Sequence, residues 1–117
     1  MPGIKLIQPL DYPDFVGLLD RCHFVVTDSG GLQEEGPALG KPVLVLRDHT
    51  ERSEGVAAGA AQLVGRSPEA IVSAVMRLLD EPATHERMSR SGSPFGDGHA
   101  ASRIVDVLAR RMKPLLR

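Results

Sequence analysis

A serine followed by two glycines, Ser29-Gly30-Gly31, has the residue types and spacing that suit anion binding. Glycines let a backbone approach an anion closely, the first turn of a helix has free N–H groups, and a serine hydroxyl adds a donor. A phosphate or diphosphate is the natural ligand of such a loop. The alternative is that Ser29 only caps the following helix while Glu34 and Glu35 complement its positive end.

A second polar segment, residues 47–52, follows the next predicted strand and contains Arg47 and Arg52. Open parallel sheets bind ligands at the carboxyl ends of their strands, so both arginines are expected near the glycine pair. A guanidinium group there can hold a phosphate through two parallel hydrogen bonds. Alternatively, Asp48, Glu51 or Glu54 neutralises the arginines in surface ion pairs of small energetic value.

Both polar segments are expected at the ends of strands in one sheet. Short β-branched segments alternate with segments of helical period along the chain, which is the pattern of an α/β fold. The expected architecture is a parallel sheet flanked by helices, because continuous apolar runs suit strands covered on both faces. A sheet this small leaves at least one edge strand unpaired. This favours the interpretation that the predicted strands are part of a larger sheet. Four strands are predicted, at residues 4–7, 23–27, 42–46 and 61–64.

Helices are predicted from apolar residues at helical spacing and from boundary signals. Asp11 and Ser67 have the residue types of N-caps, and Pro82 is a stop signal. A turn-rich break at 91–98 precedes a closing helix with a basic end, residues 110–117. The predicted helices cover about residues 12–19, the stretch from the glycine pair to about 40, the stretch from 68 to the stop at 82, and about 99–113.

Composition predicts one compact unit spanning residues 1–117, with 42% hydrophobic residues and a net charge of −1. No basic face with interleaved aromatic residues is visible, which argues against nucleic acid as a partner. Apolar runs are too short for a membrane span, and no signal-peptide pattern is present, so a cytoplasmic location is the default expectation.

The remaining reactive side chains do not form a metal motif. Cys22 stands beside the apolar run 24–26 and is expected to be a reduced, buried thiol. The histidines lack the spacing of metal ligands, so neither a metal site nor a cofactor is predicted. The histidines are His23, His49, His85 and His99.

Five motifs follow one another in order along most of the chain: PLDYPDF at 9–15, TDSGGLQEE at 27–35, GKPVLVLRD at 40–48, TERSEGVAAG at 50–59 and PFGDGHAASRI at 94–104. Together they resemble the C-terminal portion of the non-hydrolysing UDP-N-acetylglucosamine 2-epimerases. The resemblance implies two facing Rossmann-like domains, as in GT-B glycosyltransferases, with a UDP-sugar in the cleft. This chain would then be a partial Rossmann-like sheet, the later part of the second domain.

The resemblance also implies roles for individual residues in binding UDP or UDP-N-acetylglucosamine. Ser29 with its two glycines, Gly30 and Gly31, matches the diphosphate-binding positions, and Arg52 matches an arginine near the phosphates. Glu35 matches the carboxylate that binds the ribose hydroxyls.

The uracil contacts of the family match Leu10 and Phe15. For Phe15, the alternative is a core aromatic residue on a helical stripe. No residue of the chain is assigned a catalytic acid or base role, because the family's proton-transfer groups lie in earlier sequence that no segment here matches.

The family inverts C2 of the sugar by eliminating UDP to an unsaturated glycal and adding it back on the other face. Ser29, the glycine N–H groups and Arg52 would stabilise the charge that grows on the leaving diphosphate. We expect the chain to be inactive without the missing N-terminal domain. The alternatives are a non-catalytic nucleotide-sugar binding module and a GT-B glycosyltransferase-like domain, and exposed faces predict a homo-oligomer.

Overall fold

A three-stranded parallel sheet with helices on both faces forms the centre of the computed structural model, which describes residues 2–115. The predicted α/β class is therefore confirmed. The end of the predicted basic tail, residues 116–117, lies outside the described residues. In chain order the elements are α1 (Tyr12–Arg21), β1 (Val25–Thr27), α2 (Leu32–Ala38), β2 (Val43–Val45), α3 (Ser53–Ala58), β3 (Ala61–Leu63), α4 (Pro68–Asp80), α5 (Pro82–Arg90) and α6 (Ala100–Met112), followed by a 3-10 turn at Lys113–Leu115.

The middle strand, β2, contributes to two apolar layers, one on each face of the sheet. Strand order is β1-β2-β3, and Leu44 pairs with Val26 on one side and Gln62 on the other. Successive side chains of a strand point to opposite faces, so Leu44 joins the layer of α4 and α5 while Val43 and Val45 join the other. All three are fully buried. Because β1 and β2 are parallel neighbours, the loops that follow them emerge at the same edge of the sheet.

The predicted strand at residues 4–7 was wrong, because this segment has no strand structure. A strand needs a hydrogen-bonded neighbour, and no described strand pairs with these residues. Leu6 is 97% exposed, so this apolar side chain packs against nothing in the described chain.

Two helices were not predicted, and each has a physical explanation. Helix α3 contains only one large apolar residue, Val56, so it has no apolar stripe that would show a helical period. Helix α5 begins at Pro82, the predicted stop, because proline both ends one helix and suits the first position of the next. The N-cap predictions were confirmed, since Asp11 accepts from the Asp14 N–H at 3.1 Å and Ser67 from the Ala70 N–H at 3.1 Å.

The closing helix α6 has no buried residue. Three of its large apolar side chains, Ile104, Val105 and Leu108, are each more than half exposed. None of the described helices is long and apolar enough to cross a membrane.

Candidate functional site

The loop after β1 turns sharply into α2 without help from the Ser29 hydroxyl. The Ser29 N–H donates to Thr27 Oγ1 at 3.0 Å, which folds the chain back directly after the strand. Gly31 is the N-cap of α2, and no side chain caps the helix. The alternative that Ser29 acts as a helix cap is therefore wrong, and its exposed hydroxyl remains available to a ligand.

Backbone N–H groups at this turn are unused within the described chain. The first helical amides, Gln33 N–H and Glu34 N–H, donate back to the carbonyls of Gly30 and Gly31 at 3.2 and 3.1 Å. By contrast, the N–H groups of Gly30, Gly31 and Leu32 donate to no described residue. Unpaired amides at a glycine turn are the donors that an anion needs.

Arg52, from the loop after β2, lies directly against this turn. A Cβ placed on Gly30 would come within 2.9 Å of the Arg52 guanidinium carbon, so the glycine is required for this close approach. Arg52 Nε donates to Glu34 at 3.2 Å and its Nη1 donates to Glu51 at 2.6 Å. Two loops from neighbouring strands thus place a guanidinium group beside unpaired amides.

Glu51 forms ion pairs with both Arg47 and Arg52. This agrees with the alternative in which Glu51 neutralises the arginines. Arg47 Nη1 lies 3.4 Å from Glu51, and the side chains of Arg47 and Arg52 are 33% and 31% exposed. A hydrogen bond from its own backbone is the largest cause of the lowered pKa of Glu51, and both arginines lower it further. These exposed pairs contribute little to stability, so a phosphate can displace the carboxylate at small cost.

Glu35 is half-buried on α2, one helical turn beyond the glycine pair. The Tyr12 hydroxyl of α1 donates to Glu35 Oε1 at 3.4 Å, a long hydrogen bond that leaves the carboxylate free to accept others. Glu35 also lines a cavity of about 330 Å³ together with Phe95, Asp97 and Arg103. Glu35 therefore borders open space on the part of α2 that follows the glycine pair.

The two predicted uracil contacts lie in different places. Phe15 lines a small cavity with Leu32, the residue that directly follows the glycine pair, and it is half-buried there. Leu10 instead lines an open groove of about 790 Å³ with Lys5, Ile7 and other residues before and within α1. The structure thus brings Phe15 next to Leu32 at the start of α2, whereas no residue of the glycine turn or of α2 lines the groove of Leu10.

Sequence reasoning missed Gln33 and Thr50, which connect the two loops. Gln33 is only 1% exposed, and its side chain bonds to the Ser29 carbonyl and to the Thr50 hydroxyl. No sequence pattern marked Gln33, because the buried face of α2 consists of a glutamine, a glycine and a proline at residues 33, 36 and 37 and has no apolar stripe.

Cys22 is half-buried instead of buried, and partial burial raises the pKa of its thiol. Two of the histidines, His23 and His85, stack with ring centroids 3.8 Å apart. Within residues 2–115, no group of three His, Cys, Asp or Glu side chains is arranged to hold a metal ion.

Comparison with known proteins adds independent findings. A family model described as UDP-N-acetylglucosamine 2-epimerase matches residues 1–109. A probable UDP-N-acetylglucosamine 2-epimerase of Ralstonia solanacearum is 55% identical over 106 residues, which are 91% of this chain and 28% of that protein. The UDP-N-acetylglucosamine 2-epimerase of Bacillus subtilis is 50% identical over 105 residues, again 28% of its length.

Solved structures give the same result. The S. aureus MnaA-UDP co-structure matches with a TM-score of 0.88 and 42% identity, covering 93% of this chain and 30% of that one. The UDP-GlcNAc 2-epimerase from Neisseria meningitidis, bound to UDP-GlcNAc, matches with a TM-score of 0.83 and 46% identity, covering 89% and 28%. These neighbours have a GT-B-like fold. The chain thus spans less than a third of the proteins that it matches.

Proposed function

Because this chain belongs to the UDP-N-acetylglucosamine 2-epimerase family, we propose that it is the UDP-binding part of an enzyme that interconverts UDP-GlcNAc and UDP-ManNAc. The observation that carries the proposal is the contact between Gly30 and Arg52, which brings a guanidinium group to the unpaired amides of the glycine turn. A structural neighbour from S. aureus binds UDP, and one from Neisseria meningitidis binds UDP-GlcNAc.

The diphosphate of UDP fits the donors of this turn. We propose that the N–H groups of Gly30 and Gly31, the Ser29 hydroxyl and Arg52 bind its oxygens, and that Arg52 leaves Glu51 or Glu34 to do so. The exposed pairs with carboxylates contribute little to stability, and a diphosphate carries more negative charge than one carboxylate, so this exchange is favourable. Glu35 would accept the ribose hydroxyls, and Phe15 would contact the uracil.

In the proposed reaction, a base removes the C2 proton and the C1–O bond breaks, which gives the unsaturated glycal and UDP. UDP then adds back to C1 while C2 takes a proton on the opposite face. The residues of this turn would stabilise the negative charge that UDP gains as the bond breaks, and would hold UDP for re-addition. The proton-transfer groups are assigned to the rest of the full-length enzyme.

Calorimetric titration with UDP tests the binding site. Ser29→Ala and Arg52→Ala should each weaken UDP binding by about tenfold, because each removes a donor to a charged group. Arg77→Ala is the matched control, since Arg77 on α4 forms an exposed ion pair with Glu81, the residue that ends this helix. Unchanged UDP affinity in both Ser29→Ala and Arg52→Ala would contradict the assignment of these two residues to the diphosphate site.

The chain by itself should not epimerise UDP-GlcNAc. Incubation of purified chain with UDP-GlcNAc, followed by chromatographic separation of UDP-ManNAc, measures this directly. Substantial turnover would show that the proton-transfer groups lie within these 117 residues and would contradict their assignment elsewhere.

We further propose that the chain self-associates through its exposed apolar residues, among them Leu108, which is 51% exposed on α6. Sedimentation velocity over a range of concentrations should show species larger than a monomer. Leu108→Gln should shift the distribution toward monomer, whereas Asp106→Gln, on the polar side of α6, should not. A monomer at every concentration would contradict the proposal.

A further inference from the structure

Gln33 is a polar side chain in an apolar position beneath the glycine turn. It is 1% exposed and is among the largest fully buried side chains of the described residues. Burial of an amide is unfavourable unless both of its ends find partners. Here Nε2 donates to the Ser29 carbonyl at 3.3 Å and Oε1 accepts from the Thr50 hydroxyl at 2.6 Å.

The hydrogen-bond chain continues from Thr50 to Arg52. The Thr50 hydroxyl, which donates to Gln33, also accepts from the Arg52 N–H at 3.1 Å. Three consecutive hydrogen bonds therefore run from the carbonyl before the glycine pair to the backbone of the arginine. They join the loop after β1 to the loop after β2 beyond the point where the sheet ladder ends at Thr27 and Val45.

We propose that Gln33 is a positioning residue, which sets the separation between the amides of the glycine turn and Arg52 through Thr50. This inference rests on the proposed function, because that separation matters only if both loops bind one diphosphate. Gln33 itself does not touch the ligand, because only 1% of this residue is exposed. The closeness of Arg52 to Gly30 leaves little tolerance, so a loose loop would remove the guanidinium from the donors.

Three variants of the chain separate the roles of the bridge. Gln33→Met keeps a long side chain but loses both hydrogen bonds. Thr50→Val keeps the shape of threonine but loses the hydroxyl, and Thr50→Ser keeps the hydroxyl and serves as the conservative rescue. Thr50 is only half-buried, so its variants remain informative if Gln33→Met fails to fold.

Amide hydrogen exchange, measured by NMR without ligand, tests positioning alone. In Gln33→Met and Thr50→Val, the Arg52 N–H should exchange about tenfold faster, while the N–H of Leu44 in β2 keeps its protection. Thr50→Ser should exchange like the unsubstituted chain. Equal Arg52 exchange in Thr50→Val and the unsubstituted chain, or in a folded Gln33→Met and the unsubstituted chain, would overturn the inference.

Titration with UDP then separates this inference from the proposed function. UDP affinity should fall about tenfold in Gln33→Met and Thr50→Val and stay within about twofold in Thr50→Ser. If the unsubstituted chain binds no UDP, the proposed function fails while the exchange data still decide whether Gln33 positions Arg52. If UDP binds equally well to every variant, the site stands and the positioning role is wrong.

Discussion

The guanidinium group of Arg52 occupies the space that a side chain on residue 30 would need, so any larger residue at that position has to displace the arginine. Gly30 is not one of the glycines with positive φ, so its backbone conformation is open to any residue. The glycine is therefore needed for the approach of the arginine, and not for the turn itself.

Gly30→Ala should displace Arg52 and weaken UDP binding by about tenfold or more, because charge-assisted hydrogen bonds contribute about 1.5–3 kcal/mol. The melting temperature should change little, since the broken ion pairs are exposed. Calorimetry with UDP and thermal unfolding measure the two effects.

Gly17→Ala is the matched control for that substitution. Gly17 lies within α1, and nothing within 4 Å would meet its Cβ. Alanine there should raise helix stability by about 0.5–1 kcal/mol without loss of UDP affinity. Equal UDP affinity of Gly30→Ala and the unsubstituted chain would contradict the role given to the Gly30–Arg52 contact.

Glu51→Gln should strengthen UDP binding by about two- to fivefold at low salt, because Glu51 competes with the diphosphate for Arg52 in an exposed pair. The gain should disappear in about 1 M salt, where exposed charges are screened. Glu86→Gln is the control, because it removes a carboxylate from the exposed ion pair between Glu86 and Arg90 on α5, and it should have no effect on UDP binding. Weaker binding in Glu51→Gln would instead show that Glu51 holds Arg52 in place.

Glu35→Gln should weaken binding of UDP by about tenfold, because a carboxylate that accepts ribose hydroxyls makes charge-assisted hydrogen bonds. Binding of 2′-deoxy-UDP should weaken less, since it offers one hydroxyl fewer. Tyr12→Phe is the control, as it removes only the 3.4 Å hydrogen bond to Glu35. Equal losses for UDP and 2′-deoxy-UDP would argue against contact between Glu35 and the 2′-hydroxyl.

Acid should destabilise the start of α6 through Asp97. Hydrogen bonds from the Arg103 side chain are the largest cause of the lowered pKa of Asp97, and the His99 N–H lowers it further. The pKa is lower in the folded than in the unfolded chain, so this stabilisation is present above about pH 4 and is lost as the pH falls through the folded pKa.

Thermal unfolding followed by circular dichroism between about pH 6 and pH 2.5 measures this dependence. Asp97→Asn should be less stable at neutral pH and should show a shallower loss in acid. The stability of Asp97→Asn should still fall in acid to some extent, because the pKa values of Glu51 and Glu81 are also lowered. An unchanged acid slope in Asp97→Asn would contradict the assignment.

Family membership and fold class followed from the sequence because their signals are local. The resemblance drawn from five motifs was confirmed by the family model and by the relatives. The strands after residue 23 and the caps at Asp11 and Ser67 were also found where the pattern indicated. The strand prediction for residues 4–7 was wrong, because an apolar pattern forms a strand only beside a neighbouring strand. The periodicity of a segment does not show whether such a neighbour exists.

By itself, the sequence determined that a serine and two glycines stand between a strand and a helix, with arginines after the next strand. Only the tertiary structure decided that Arg52 packs directly on Gly30, and that Gln33 and Thr50 join the two loops. The reason is that these contacts connect residues far apart in the chain, which belong to loops on two different strands. Their distances depend on how β1 and β2 pair and on which side chains fill the space between the loops, and neither is encoded in any short segment.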